Sequence, residues 1–234
     1  MLALDAGGLG HSLPLADQEK IVAVMLTHSH ADHMMGLTSL CMHAYGVGAT
    51  LEVYAIKDTI DAVRAHVFND TIYSDFTRMP SSTNPTLRFH AVEPYRAQSI
   101  AGYDVLAVPV HHTAPAVGYQ VSSRDGKRVL YSGDTGPGLH SCWKYVYPDL
   151  LILDCAGSSR WGSQAPKIGH MTPQLLKAEL VEFQKQHGHI PLVIVVHMIP
   201  LPNEEEATEA EVAKVAKELD ARIELGYEGM EIEV

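Results

Sequence analysis

The sequence is short of cysteine, of basic residues and of long apolar runs, and each shortage excludes something. Three cysteines among 234 residues (Cys41, Cys142 and Cys155) are an odd number without zinc-knuckle spacing. They read as reduced thiols of a cytoplasmic protein and not as a disulfide framework. No apolar run approaches the roughly 18–20 residues that span a bilayer, so no membrane partner is expected. The opening MLALDAGG carries Asp5 and no basic stretch before an apolar one, so it does not read as a secretory signal. Lys and Arg number 17 against 28 Asp and Glu, a formal charge of −11. Bulk nucleic-acid binding works through basic patches that release counterions, and no Lys/Arg cluster of that kind is present. A small anionic substrate remains compatible with this charge, because bound cations reverse the local field.

What remains is a 46% hydrophobic, 19% charged composition that suits one folded α/β domain over residues 1–234. No fixed-period repeat or low-complexity linker divides it. Ile21–Leu26 is a short, β-branched apolar run and predicts a buried strand. Further strands are predicted at Leu51–Ile56, Leu87–Val92, Tyr103–Val110, Val117–Ser122, Val129–Tyr131, Leu150–Leu153 and Leu192–Val196. The Asp125-Gly126 pair marks a hairpin between Val121 and Val129. Helices are predicted at Met34–Tyr45 and Thr59–Phe68, and from Pro173 to about Gln186 with Thr172 as N-cap. A last helix opens near Glu204 and ends near Leu219, with Glu204 to Glu206 as structural first-turn acids. Thr77–Pro85 reads as an exposed loop and Ser158–Lys167 as a mobile flap. Tyr119 and Trp161 read as packing residues that could also stack on a base.

Histidine is abundant, at 14 residues. His28-Ser29-His30-Ala31-Asp32-His33 places three imidazoles and a carboxylate in six positions, directly after a predicted buried strand. Such nitrogen and oxygen donors suit zinc, iron or manganese, whereas an all-oxygen set would suit magnesium or calcium. Side chains two apart in extended chain face one way, so His28 and His30 can share one metal while Asp32 and His33 serve a second. Other ligand types also follow predicted strands: His111 and His112 after Tyr103–Val110, Asp134 after Val129–Tyr131, and His197 after Leu192–Val196. Strand ends are where side chains from separate strands converge.

This pattern, led by Thr27-His28-Ser29-His30-Ala31-Asp32-His33, resembles the metallo-β-lactamase superfamily over nearly the whole chain. The resemblance implies an α/β fold of the four-layer αβ/βα sandwich type, with the N-terminal strands shortened. The superfamily usually carries about thirty residues of strands before the segment Leu4-Asp5-Ala6-Gly7. Either an edge left open there pairs with a second copy as a homodimer, or the coding start lies downstream of the natural one. The resemblance also implies two divalent metal ions, zinc or else manganese or iron. His28, His30 and His112 would bind one and Asp32, His33 and His197 the other, with Asp134 bridging and Asp32 serving in catalysis. His112 is preferred to His111 because His112, Pro115, Gly118 and Tyr119 form an H-x-x-P-x-x-G-Y run similar to the phosphodiesterase branch.

A two-metal site activates water for attack on phosphodiesters, lactones, thioesters and β-lactams alike. Three features favour a phosphodiester. The loop Tyr131-Ser132-Gly133-Asp134-Thr135 is similar to that of tRNA 3′-processing endonucleases and cyclic-phosphodiester hydrolases. Gly169-His170-Met171-Thr172-Pro173 looks like a segment of class II cyclic-nucleotide phosphodiesterases. Asp154 stands where the tRNA-processing enzymes carry a Glu that orients a histidine. The implied roles are His170 as general acid and Asp154 as the carboxylate that orients it and raises its pKa. Only a plain hairpin fits between His112 and Asp134, where tRNA-processing enzymes insert an arm for the tRNA elbow. A small phosphodiester such as a cyclic nucleotide is therefore the leading substrate. The alternatives are a lactonase or another ester or amide hydrolase, then a tRNA 3′-processing endonuclease or a non-catalytic metal-binding module.

Overall fold

A computed structural model describes residues 1–234. The chain divides into two compact units: Met1–Gly102 with Ala114–Ala116, and Tyr103–Thr113 with Val117–Val234. They are called the N-terminal and C-terminal units below.

The sheet of the N-terminal unit is built from β1 (Leu2–Leu4), β2 (Ala23–Met25), β3 (Leu51–Ala55) and β6 (Leu87–Ala91), all parallel and in that order. Its helices are single turns α1 (Leu9–Ser12), α2 (Leu15–Gln18) and α3 (Ala31–Met34), then α4 (Leu37–Val47) and α5 (Lys57–His66). The core is aliphatic: Val24, Leu26, Leu37, Leu40, Val53 and Val63 pack with Phe68, Phe76 and Leu87. β2 is buried at every position, as a parallel strand covered on both faces must be. Residues 77–85, expected as exposed loop, contain a small antiparallel ribbon of β4 (Pro80–Ser81) and β5 (Asn84–Pro85). Thr86 N–H bonds back to the Met79 carbonyl and fixes this ribbon beside β6. A further short strand, β7, covers Gln98–Ile100.

In the C-terminal unit, β8 (Tyr103–Pro109), β9 (Val117–Ser122) and β10 (Arg128–Tyr131) form an antiparallel meander. β11 (Leu150–Asp154), β12 (Leu192–Val196) and β13 (Ile223–Leu225) continue from β10 in parallel. Helices α6 (Pro173–His187) and α7 (Glu204–Leu219) bury Leu176, Leu180, Phe183, Val212 and Val215 against Leu151, Leu153, Val193 and Val195. Alternation decides the strand faces: Leu151 and Leu153 join this core, while Ile152 points to the other face. Trp143 is fully buried and meets Phe183 edge to face. Thr172 sits at the extended N-cap position of α6 but makes no side-chain cap, leaving Pro173 to start the helix.

All three cysteines are free and buried. Burial pushes the Cys142 thiol up to about 12, helped by the Glu179 charge, and raises Cys41 and Cys155 as well. No helix is long and apolar enough to cross a membrane.

Candidate metal-binding clusters

Within the N-terminal unit, the parallel register of β1 and β2 sets Leu4 opposite Met25, so the residues that follow both strands emerge together. Asp5 turns with φ +58° and places its buried carboxylate beside Thr27 and His33. Asp5 Oδ1 accepts Thr27 N–H at 2.7 Å, and Oδ2 accepts the Thr27 hydroxyl at 2.8 Å and His33 Nδ1–H at 2.7 Å. These contacts settle tautomers. The Thr27 hydroxyl proton is committed to Asp5, so the 3.0 Å contact between Thr27 Oγ1 and His28 Nδ1 needs the proton on Nδ1. Both His28 and His33 then carry the lone pair on Nε2, the form in which imidazole ligates a cation, with the other nitrogen fixed by a neighbour.

The three imidazoles crowd together: the His28 ring centroid lies 4.6 Å from that of His30 and 4.4 Å from that of His33. His28 and His33 are buried, His30 is half-buried, and Asp32 is exposed with Oδ2 3.6 Å from His33 Nε2. α3 starts at Ala31, and this turn swings Asp32 and His33 away from the extended direction of His28 and His30. Gly7 is required here, because a Cβ on it would lie 1.6 Å from the Asp32 carbonyl oxygen.

Within the C-terminal unit, β10, β11 and β12 are parallel neighbours whose register aligns Tyr131 with Ile152 and Asp154 with Val196. Asp134, Asp154 and His197 therefore emerge at one edge, the carboxyl ends of the strands, where open α/β sheets build their sites. β8 runs in the same direction and delivers His112. Asp134 is buried, with Oδ1 3.1 Å from His197 Nδ1 and Oδ2 3.8 Å from His112 Nε2. His112 Nδ1–H donates to the Gly169 carbonyl at 2.8 Å, again leaving the lone pair on Nε2. His111 has an exposed side chain and contributes its carbonyl oxygen to Gly136 N–H at 2.7 Å. His197 follows β12 in a left-handed conformation, φ +67°, that a non-glycine residue holds only when its surroundings demand it.

His170 Nδ1 and Asp154 Oδ2 are 2.7 Å apart. Asp154 has no exposed surface; its Oδ1 also accepts Met171 N–H at 3.0 Å, and its Oδ2 faces Thr135 N–H at 3.4 Å. Burial pushes the Asp154 carboxyl up, against His170 and the Met171 amide, which pull it down. The His170 ring stacks on His197, with centroids 5.0 Å apart and planes 12° apart, and meets His112 edge to face at 5.0 Å. Ligand-capable atoms of Asp134, Asp154, His170 and His197 all lie within 4.8 Å of one another. Imidazole nitrogens beside buried carboxylate oxygens are a donor set that fits a divalent cation of the zinc, manganese or iron kind. Asp154 has both oxygens engaged by donors, which suits an orienting carboxylate better than a ligand.

The expected site residues thus gather in two clusters: His28, His30, Asp32 and His33 in the N-terminal unit, and His112, Asp134, Asp154, His170 and His197 in the C-terminal unit. Sequence reasoning passed over several that hold them. Asp5, within Leu4-Asp5-Ala6-Gly7, and Gly169, before His170, carry no local sign of their supporting roles. Glu179 of α6 is buried and accepts Gly138 N–H at 2.6 Å and His140 N–H at 2.7 Å, fixing the loop beyond Asp134. His140 is therefore a partner of Glu179. Tyr119 is fully buried and offers no open stacking surface, whereas Trp161 is half-buried beside Gly157.

The parallel and mixed sheets, their helices and the strand-end His/Asp clusters define a protein of the metallo-β-lactamase fold. The family model described as a beta-lactamase superfamily domain matches residues 7–198, and the chain belongs to that family. It is similar to a probable 3′,5′-cyclic-nucleotide phosphodiesterase of Yersinia pestis, 25% identical over 208 residues that cover 78% of this chain and 58% of the relative. It is also similar to a ribonuclease Z of Crocosphaera subtropica (strain ATCC 51142 / BH68), 30% identical over 122 residues that cover 50% of this chain and 36% of that one. The chain thus spans less than two thirds of the length of these curated relatives. In fold it resembles the solved structure of unliganded yeast PDE1, with a TM-score of 0.79, 24% identity, and coverage of 89% of this chain and 67% of that one.

Proposed function

We propose that the protein is a metal-dependent hydrolase of small phosphodiesters, a cyclic nucleotide being the leading candidate. The observation that carries this reading is the His170–Asp154 pair, 2.7 Å apart and packed on His197 beside Asp134. A general acid in this position protonates an alkoxide departing from a phosphodiester, and the similarity to a probable cyclic-nucleotide phosphodiesterase favours that substrate class.

His28, His30 and His112 would hold one cation and Asp32, His33 and His197 the other, with Asp134 shared between them. Zinc is the expected metal on this donor set. Two bound divalent ions supply activated water and neutralise charge on the phosphoryl oxygens. Asp5, the Thr27 hydroxyl and the Gly169 carbonyl hold His33, His28 and His112 in the ligating tautomer. Asp154 accepts from His170 Nδ1, which aims Nε2 away from Asp154 as the proton donor. As the phosphorus–oxygen bond to the leaving group breaks, His170 Nε2–H protonates the departing alkoxide, and Asp154 stabilises the charged imidazole beforehand.

The ribonuclease Z relative raises pre-tRNA processing as the second reading. Against it stand the hairpin of β9 and β10, which occupies the chain between His112 and Asp134, and the charge of −11. Side-by-side turnover of a cyclic nucleotide, bis-p-nitrophenyl phosphate, an acyl-homoserine lactone, a cephalosporin and a 3′-extended tRNA by the zinc-loaded protein tests the proposal. Turnover confined to the first two is expected; preference for any of the others overturns it.

A further inference from the structure

Asp154 and His170 are joined by a connection that is buried from Cys155 to Ser158 and mostly exposed beyond, and α7 grips it. Glu204, the first residue of α7, has a side chain with no exposed surface. A carboxylate buried this completely is costly unless donors surround it. Its Oε1 accepts Ser158 N–H at 2.7 Å, its Oε2 is 3.1 Å from Arg160 Nη1, and the Trp161 indole lies beside it. About two turns of helix further on, Glu211 takes both Ser159 N–H (2.9 Å) and the Ser159 hydroxyl (2.7 Å). Gly157 completes the seat, since a Cβ there would lie 2.8 Å from Trp161 Cδ1 and 3.1 Å from Glu204 Oε1.

The gripped segment leads directly to the reactive groups. It is wound into 3-10 turns at Ser159–Trp161 and Ala165–Ile168, and His170 N–H bonds back to the Ala165 carbonyl at 2.8 Å. Gly169, left-handed at φ +76°, presents the carbonyl that holds His112. A shift of this segment therefore moves two things at once: the imidazole paired with Asp154 and the acceptor that orients His112. Ser158–Lys167, expected as a flap, is held at its start by the Glu204 and Glu211 contacts, and His170 N–H closes on Ala165 near its end.

We propose that Glu204, assisted by Glu211, is a positioning residue that holds the Asp154-to-His170 connection and thereby sets His170 against Asp154 and the Gly169 carbonyl against His112. Its catalytic consequence rests on the phosphodiesterase reading; its structural consequence does not. Neither glutamate touches substrate or cation in this account.

The test compares wild type, Glu204→Ala, Glu204→Gln and Glu211→Ala by amide exchange, acrylamide quenching and turnover of a cyclic nucleotide, whose alkoxide leaving group needs a proton. Trp143 is fully buried, so quenching reads Trp161. Glu204→Ala is expected to speed exchange at Ser158 and His170 by at least about tenfold and to increase quenching. It should lower kcat by roughly tenfold or more, with KM changed less than about threefold. Glu204→Gln keeps an acceptor for Ser158 N–H and should recover part of each effect. Glu211→Ala, at a more exposed position, should speed exchange at Ser159 with a smaller loss of kcat, and it covers the case in which Glu204→Ala does not fold. A folded Glu204→Ala or Glu211→Ala protein with wild-type exchange at these amides overturns the proposal. If the wild type turns over no phosphodiester while exchange responds as expected, the phosphodiesterase reading fails and the latch stands.

Discussion

Asp154 Oδ2 and His170 Nδ1 share a hydrogen bond of 2.7 Å between a carboxylate with no exposed surface and a half-buried imidazole. The carboxylate fixes which nitrogen of His170 carries the outward proton and stabilises the ring when it is charged. Asp154→Asn keeps the shape and removes the charge. It should lower kcat on a cyclic nucleotide by about 10²-fold while metal content stays that of wild type. Steady-state kinetics with metal analysis on the same preparation checks both halves.

Asp5 does for His33 what Asp154 does for His170, and through Thr27 it also sets His28. Losing an orienting partner of this kind typically costs a metal site 10–100-fold in affinity or activity. Asp5→Ala should weaken zinc binding by about that factor, measured by competition with a chelator of known affinity. Zinc affinity equal to wild type would mean that Asp5 serves the fold alone.

Gly169 has no room for a side chain. A Cβ would lie 2.6 Å from His112 Nδ1 and 2.8 Å from His112 Cα, on a residue already at φ +76°. Gly169→Ala should cost about 1–3 kcal/mol by overpacking and backbone strain, read from denaturant unfolding. It should also reduce zinc affinity, because the acceptor of His112 is displaced.

The pH dependence of the Glu204 latch has a definite sign. Burial works against ionisation of Glu204, but Ser158, Trp161 and Arg160 outweigh it and hold the carboxyl below its ordinary value of 4.5. A carboxyl with a lowered folded pKa adds stability that is present above the ordinary value and is lost as pH falls through the lowered one. Wild type should therefore exceed Glu204→Gln in melting temperature above about pH 4.5, with the gap closing as pH falls further. A gap independent of pH would contradict this.

The clusters were legible where ligand types crowd in the sequence or follow an apolar run. His28 to His33 crowd; His112, Asp134 and His197 each follow a strand. The supporting residues were not, for physical reasons. Asp5 is one acid among many until the register of β1 and β2 brings it to His33. Glu204 sits in a run of first-turn acids, and nothing local distinguishes the buried one from its exposed neighbours Glu205 and Glu206. Among fold elements, β1, β7 and β13 span three residues each, too few for an alternating pattern to register. The ribbon of β4 and β5 lies in a stretch whose composition reads only as loop.

The most direct test asks whether His170 protonates the leaving group. The catalytic efficiencies of wild type and His170→Ala are compared on a cyclic nucleotide, whose alkoxide needs a proton, and on bis-p-nitrophenyl phosphate, whose phenolate does not. A general acid at His170 gives a loss of about 10²–10⁴-fold on the cyclic nucleotide and a much smaller one on the nitrophenyl ester. Equal losses on both, or none on either, would contradict the account.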